Sequence, residues 1–231
     1  RQRVEIKTFA SSPENMKATL GEIVTYKWRF KIPANFNPST GFTHIHQIKA
    51  VGGDDANPIF TLTLRKKSSG IERLELIHDE GSTSNALELY NTNLSTLKNT
   101  WVEVTETIFF NETGSITIEI KKINDNSILF SYENLNIRTI RPDNLFVRPK
   151  WGIYRKTKNS LGEILDNLKD EEIFFSDFSI TENSLHLNDF NTEQKILNSN
   201  IVNETLEFTT KITDEIYIYS NAGIEIKKVF Q

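Results

Sequence analysis

Alternation with a period of two runs through most of this chain, and it narrows the possible folds more than any other feature. Tyr26, Trp28, Phe30 and Ile32 alternate with Lys27, Arg29 and Lys31. Ile59, Thr61 and Thr63 alternate with Phe60, Leu62 and Leu64, and Val102 and Val104 with Glu103 and Thr105. Ile116, Ile118 and Ile120 alternate with Thr117, Glu119 and Lys121. Successive side chains on a strand point to opposite faces, so these runs read as half-buried antiparallel strands. Turn-forming clusters separate them: Pro33 to Gly41, Gly52-Gly53-Asp54-Asp55, Ser68-Ser69-Gly70, Asn111 to Gly114 and Asn124-Asp125-Asn126. Many short strands with such punctuation predict an all-β sandwich, jelly roll or barrel. One stretch departs from the rule: Ser160 to Leu168 reads as a short helix or helical turn, with Ser160 as a candidate N-cap.

A chain of 231 residues buries a core without covalent staples, and this one has no cysteine. Thiol nucleophiles, disulfides and cysteine zinc sites are thereby excluded together. The histidines, His44, His46, His78 and His186, leave little room for an all-histidine metal site. No apolar run approaches the roughly 18–20 residues that span a bilayer. The net charge of −4 argues against a general nucleic-acid binder. Arg1 to Lys7 already reads as a strand, with neither a starting Met nor a leader before it, so the expectation is a mature or truncated chain.

A seam is expected near Glu182. Ile173 to Ile180 looks like the closing strand of a domain spanning 1–182. Polar residues from Asn183 to Asn200 follow, then strand-like runs at Thr205 to Thr209 and Glu215 to Tyr219, a turn at Asn221-Ala222-Gly223, and a strand from Ile224 to Val229. Residues 183–231 therefore form at most a small β module, or complete the main sheet. The run from Ile216 to Ile226 resembles the strand–turn–strand of type IX secretion sorting domains of Bacteroidetes, written I-x-I-Y-s-x-x-G-x-x-V. It departs from them at Lys195-Ile196-Leu197-Asn198, where a Pro-Asn-Pro is usual. The resemblance implies a secreted or cell-surface protein that engages that machinery.

Read by face, several segments carry chemistry. In Arg1 to Lys7, Val4 and Ile6 oppose Arg3, Glu5 and Lys7, which a solvated face with ion pairs would also explain. In Phe42 to Ala50, a regular strand sets His44, His46 and Ile48 against Ile45, Gln47 and Lys49. The His-x-His pair has no third ligand at useful spacing, so structural histidines are favoured over a metal site. Gln47 and Lys49 together suit a carboxylate ligand. In Arg148 to Lys156, Pro149, Trp151 and Ile153 oppose Arg148, Lys150, Gly152 and Tyr154. Gly152 leaves open space beside Tyr154 where a ligand could approach closely, and cations around a phenol favour its ionised form. If Arg29 and its neighbours share the same sheet, an acidic protein carries a local cationic groove. That is the footprint of a polyanion: nucleic acid is one, though no nucleic-acid motif is present, and an acidic polysaccharide is another.

These segments resemble the jelly-roll polysaccharide lyases. Alginate lyases of that fold carry R-S/T-E-L-R, Q-I-H and Y-F-K-A-G-x-Y-x-Q in order. Here stand Arg3-Val4-Glu5-Ile6-Lys7, Gln47-Ile48-Lys49 and Arg148 to Lys156, with Pro58 after the second motif. The likeness spans residues 1 to about 181. The motif histidine falls on Lys49 and the second arginine on Lys7, which is closer to ulvan lyases; glucuronan lyases are a further relative. The resemblance implies a jelly roll, a concanavalin-like sandwich of two antiparallel sheets, with a small C-terminal β tail. It implies β-elimination on a uronate polysaccharide, without a cofactor. Tyr154 would be base, acid or both, Gln47 and Arg3 would neutralise the carboxylate, and Lys49 would assist or act as base. Lys7, Arg29, Arg148 and Lys150 would bind substrate. His46 joins them if a bulge turns it across.

Two rivals remain at this point. A glucanase of similar fold needs paired carboxylates on one strand, and Ile116 to Ile120 holds only Glu119. A non-catalytic carbohydrate-binding module for acidic polysaccharide would use the same face with exposed Trp28, Trp101 or Trp151, although the first and last have apolar neighbours. Gly52-Gly53-Asp54-Asp55 is a candidate calcium loop, but two acids in a loop are more often an ordinary turn.

Overall fold

In a computed structural model of the chain, the alternating runs become strands of two antiparallel sheets. The structure describes residues 1–81, 84–165, 168–183, 215–219 and 225–230. The chain divides into two compact units, Arg1–Leu187 and Asn188–Gln231. The strands of the first are β1 (Gln2–Lys7), β2 (Ile23–Lys31), β3 (Thr43–Val51), β4 (Phe60–Lys66), β5 (Glu72–His78), β6 (Leu87–Asn93), β7 (Trp101–Phe109), β8 (Gly114–Lys122), β9 (Ile128–Ile137), β10 (Phe146–Arg155) and β11 (Phe174–Asn183). One sheet has the order β1-β10-β3-β4-β5-β6 and the other β11-β2-β7-β8-β9. Every pair is antiparallel. The architecture is an all-β jelly-roll sandwich.

The core lies between the inner faces of these sheets. Tyr26, Trp28 and Phe30 of β2, Val102 and Val104 of β7, and Ile116, Ile118 and Ile120 of β8 supply one side. Ile48, Leu62, Leu64, Leu74, Leu76 and Trp151 supply the other. Burial of this apolar surface holds the sandwich together. It also leaves the outer face of the six-stranded sheet to polar side chains, and the candidate site stands there.

In the second unit, β12 (Glu215–Tyr219) and β13 (Glu225–Phe230) pair as an antiparallel hairpin. Residues 184–214 and 220–224 lie outside the described residues, and with them the turn of the sorting-tail motif and the Lys195-Ile196-Leu197-Asn198 stretch.

The helix expected from Ser160 does not form over 160–165. The Asn159 side chain accepts from the backbone N–H of Leu161 (2.9 Å) and Glu163 (3.0 Å), and Lys158 bridges Ile164. Gly162, with φ +83°, takes the left-handed conformation that ends helical runs. A local side-chain turn wins over a weak helical pattern here.

Candidate active site

Register decides which side chains meet. Lys150 lies opposite Gln47 and Arg148 opposite Lys49 across β10 and β3. Arg3 lies opposite Tyr154 and Glu5 opposite Gly152 across β1 and β10. Both β3 and β10 then slip: Trp151 faces His46, but Tyr154 faces His44. Opposite β4 the slip falls between His44 and His46, around Ile45. This bulge puts the two histidines on opposite faces. His44 stands beside Tyr154 and His46 turns into the core, the reverse of the expected crossing. There His46 stacks on Trp28 and Trp151, its Nδ1–H donates to the Lys150 carbonyl (3.0 Å), and its Nε2 meets Glu106 Oε2 (2.8 Å). It is a core residue that pins β10, not a ligand for substrate.

The result is a cleft of about 220 Å³ whose lining includes Arg1, Arg3, His44, Gln47, Lys49, Lys150 and Tyr154. Tyr154 is 8% exposed. Its phenolic oxygen accepts a hydrogen bond from Arg1 (2.8 Å), and the Arg3 guanidinium lies 4.0 Å above its ring. The hydroxyl proton of Tyr154 is therefore left for another acceptor. Glu5, with its side chain 5% exposed, anchors the opposite wall: it accepts from the Gln47 amide and pairs with Arg3 at 3.3 Å. One buried carboxylate thus orients both the neutral donor and a cation.

Lys150 is 5% exposed. Burial pushes its ammonium down to about 8; Glu5 opposes the shift, and Arg148, Lys49 and Arg3 add to it. Among the described residues its Nζ meets no hydrogen-bond acceptor. Lys49 is also lowered, by burial first, with Asp55 opposing and Arg141, Arg148 and Arg3 adding. Its Nζ, however, donates to the backbone carbonyls of Asp55 and Ala56, bonds that favour the charged form. Burial, followed by Arg65, Arg1 and Arg3, holds His44 at about 3, so its imidazole is neutral at physiological pH. His44 Nδ1 is buried and unpartnered among the described residues.

Some expected members stand elsewhere. Arg29 lies on β2, in the other sheet, where it pairs with Glu103 (3.0 Å) and Asp177 (2.8 Å). Lys7 and Arg148 flank the cleft without lining it: Lys7 lies 5.4 Å from the Phe9 ring, and Arg148 donates to the Thr8 carbonyl (3.0 Å). The space beside Gly152 is taken by β1 rather than by open solvent. A Cβ there would sit 2.1 Å from the Val4 carbonyl oxygen. Gly152 lets the strand carrying Arg3 and Glu5 approach. Trp28 and Trp151 are core residues, so they offer no stacking platform for sugars.

The candidate calcium loop has its carbonyls on protein cations. Arg141 donates to the carbonyls of Asp54 (2.9 Å), Asn57 (2.9 Å), Pro58 (3.3 Å) and Asp79 (2.6 Å), and Lys49 takes those of Asp55 and Ala56. Two carbonyls of the loop itself, those of Asp54 and Asp55, are thereby engaged by cations. Among the described residues, no group of three or more His, Asp or Glu is placed to hold a metal.

Arg1, His44 and Glu5 are the members that the sequence pattern does not single out as ligands. Arg1 follows from extending the β1 register beyond Arg3. Glu5 is visible as part of a charged face but reads as solvated. His44 depends on a bulge whose position the alternation alone does not give.

No protein-family model matches the sequence, and no curated protein matches it. Solved structures do match in fold. The endo-β-1,4-glucuronan lyase of the fungus Trichoderma reesei aligns with a TM-score of 0.55 at 17% identity, over 76% of this chain and 72% of that one. The family 7 alginate lyase A1-II′ in complex with product aligns at 0.51 and 13%, over 78% and 71%. The same enzyme in complex with substrate aligns at 0.50 and 14%, over 78% and 69%. At these identities the likeness establishes the fold, which is that of polysaccharide lyases. Among the described residues no helix is long and apolar enough to cross a membrane.

Proposed function

We propose that this protein is a polysaccharide lyase that cleaves a uronate-containing polysaccharide of the ulvan, alginate or glucuronan type by β-elimination. One observation carries the reading: Tyr154, Lys150, Gln47, Lys49 and Arg3 line a single cleft, with an arginine donor already on the phenolic oxygen.

The difficult step is removal of the C5 proton next to the carboxylate. Arg3, Gln47 and Lys49 neutralise that carboxylate and hold the enediolate charge as it forms. Lys150 is the base, because a buried amine with a value of about 8 is partly neutral at working pH. It takes the C5 proton, the C5 electron pair forms the C4–C5 double bond, and the C4–O bond breaks. Tyr154 gives its hydroxyl proton to the leaving glycosidic oxygen. Lys150 then loses its extra proton to solvent and Tyr154 regains one, so the cycle closes. A polymer of this kind is met outside the cell, which fits secretion or surface display.

Mass spectrometry of the products tests the reaction type. Elimination leaves one fragment lighter by one water than hydrolysis would give. Fragments of hydrolytic mass would overturn the lyase reading, and intact polymer that is nonetheless retained would favour a binding module.

A further inference from the structure

Next to the cleft lies a second cavity, of about 420 Å³. Four cationic side chains line it, Arg1, Arg65, Lys156 and Lys158, with Phe42 as an apolar wall and no carboxylate in the lining. The fold sets several of them in place. Arg65 donates to Glu75 (2.8 Å) and to the Gly41 carbonyl. The stem of Lys156 lies across Gly41, where a Cβ would sit 2.7 Å from its Cδ. The buried Ser39 hydroxyl donates to the Lys156 carbonyl (2.9 Å) and accepts from the Gly41 N–H (3.1 Å). The loop before β3 is thus clamped to the end of β10.

Arg1 and Phe42 belong to both cavities. Lys156 stands two residues beyond Tyr154, about 7 Å along an extended chain, on the order of one sugar residue. Arg65 already has Glu75 as its counter-ion, but Arg1, Lys156 and Lys158 have no carboxylate partner among the described residues, and cations gathered on a concave wall repel one another until an anion joins them. A neutral sugar would leave that repulsion in place.

We propose that this second cavity is an anion subsite for the carboxylate or sulfate of the sugar next to the one cleaved. The substrate then carries acidic groups on neighbouring sugars, and two linked sites grip it together. This rests on reading the groove as a site for acidic polysaccharide, but not on the elimination step.

Calorimetric titration tests it. Glucuronan, alginate and ulvan tetrasaccharides are titrated into a Tyr154→Phe protein, and into the same protein carrying Lys156→Ala and Lys158→Ala. The tetrasaccharide should lose about tenfold in affinity in the lysine variant, while the melting midpoint is unchanged and serves as the check on folding. A loss with glucuronan or alginate assigns carboxylate recognition, and a loss confined to ulvan assigns sulfate. Equal tetrasaccharide affinities in the two proteins, or no binding by the lysine-intact protein, would overturn the subsite. Lysine-dependent binding by a protein whose wild type releases no unsaturated sugar keeps the subsite and removes the lyase; the opposite pattern removes the subsite alone.

Discussion

Replacing Gly152 with alanine should dismantle the site from its edge strand. The new Cβ would lie 2.1 Å from the Val4 carbonyl oxygen, 2.8 Å from Glu5 Cα and 3.0 Å from the Val4 carbonyl carbon. These are backbone atoms, so no side-chain rotation relieves the clash. A carbon-to-oxygen contact of about 3.3 Å requires β1 to retreat by about 1 Å. Gly152 also has φ +141°, which costs a non-glycine residue about 1–3 kcal/mol. Overpacking adds about 1–3 kcal/mol. For a domain of this size the sum lowers the melting midpoint by about 4–24 °C. Arg3 and Glu5 move with the strand, and a 1 Å misplacement costs on the order of 100-fold in kcat/KM. Scanning fluorimetry and initial rates measure both effects. Gly162→Ala is the comparison, because Gly162 also has positive φ but nothing within 4 Å of its Cβ position. A Gly152→Ala protein as stable and active as Gly162→Ala would refute the reasoning.

Other outcomes follow from the same geometry. The reaction needs Lys150 neutral, so kcat/KM should rise with pH through about 8 as its proton leaves. Lys150→Arg stays charged and should lose that limb together with about 100-fold or more in rate; an unchanged pH profile would remove Lys150 as base. His46→Ala leaves Glu106 buried and unpaired, and chemical denaturation should show a loss of about 3–5 kcal/mol. Arg141→Met frees the carbonyls of Asp54, Asn57, Pro58 and Asp79 and removes the partner of Asp79, for a loss of about 3–5 kcal/mol in the same assay. It should also weaken substrate binding in calorimetry, because Lys49 is held by the same loop.

The sandwich was legible because its core obeys strict alternation. Tyr26, Trp28 and Phe30, and Ile116, Ile118 and Ile120, all face inward as their spacing predicts. The pairing of Gln47 with Lys150 on the neighbouring strand was not legible, since register across strands far apart in sequence is a tertiary property. The face of Tyr154 and Gln47 could be read from alternation, but their convergence depends on β10 lying between β1 and β3. Arg29 shows the limit: its strand has the right basic face but joins the other sheet. His44 and His46 show another, because one bulged residue at Ile45 separates two side chains that alternation puts on one face. Gly152 reads in the sequence as open space for a ligand, but the chain's own backbone fills that space.

The central claim is that the cleft around Tyr154 performs elimination. The most direct measurement is the ultraviolet absorbance of a double bond conjugated to a carboxylate, followed with ulvan, alginate and glucuronan for wild type and Tyr154→Phe. The account predicts a rise with one of these polymers for wild type and none for the variant, whose ring still packs beneath Arg3. An equal rise in both proteins, or none with any polymer, would contradict it.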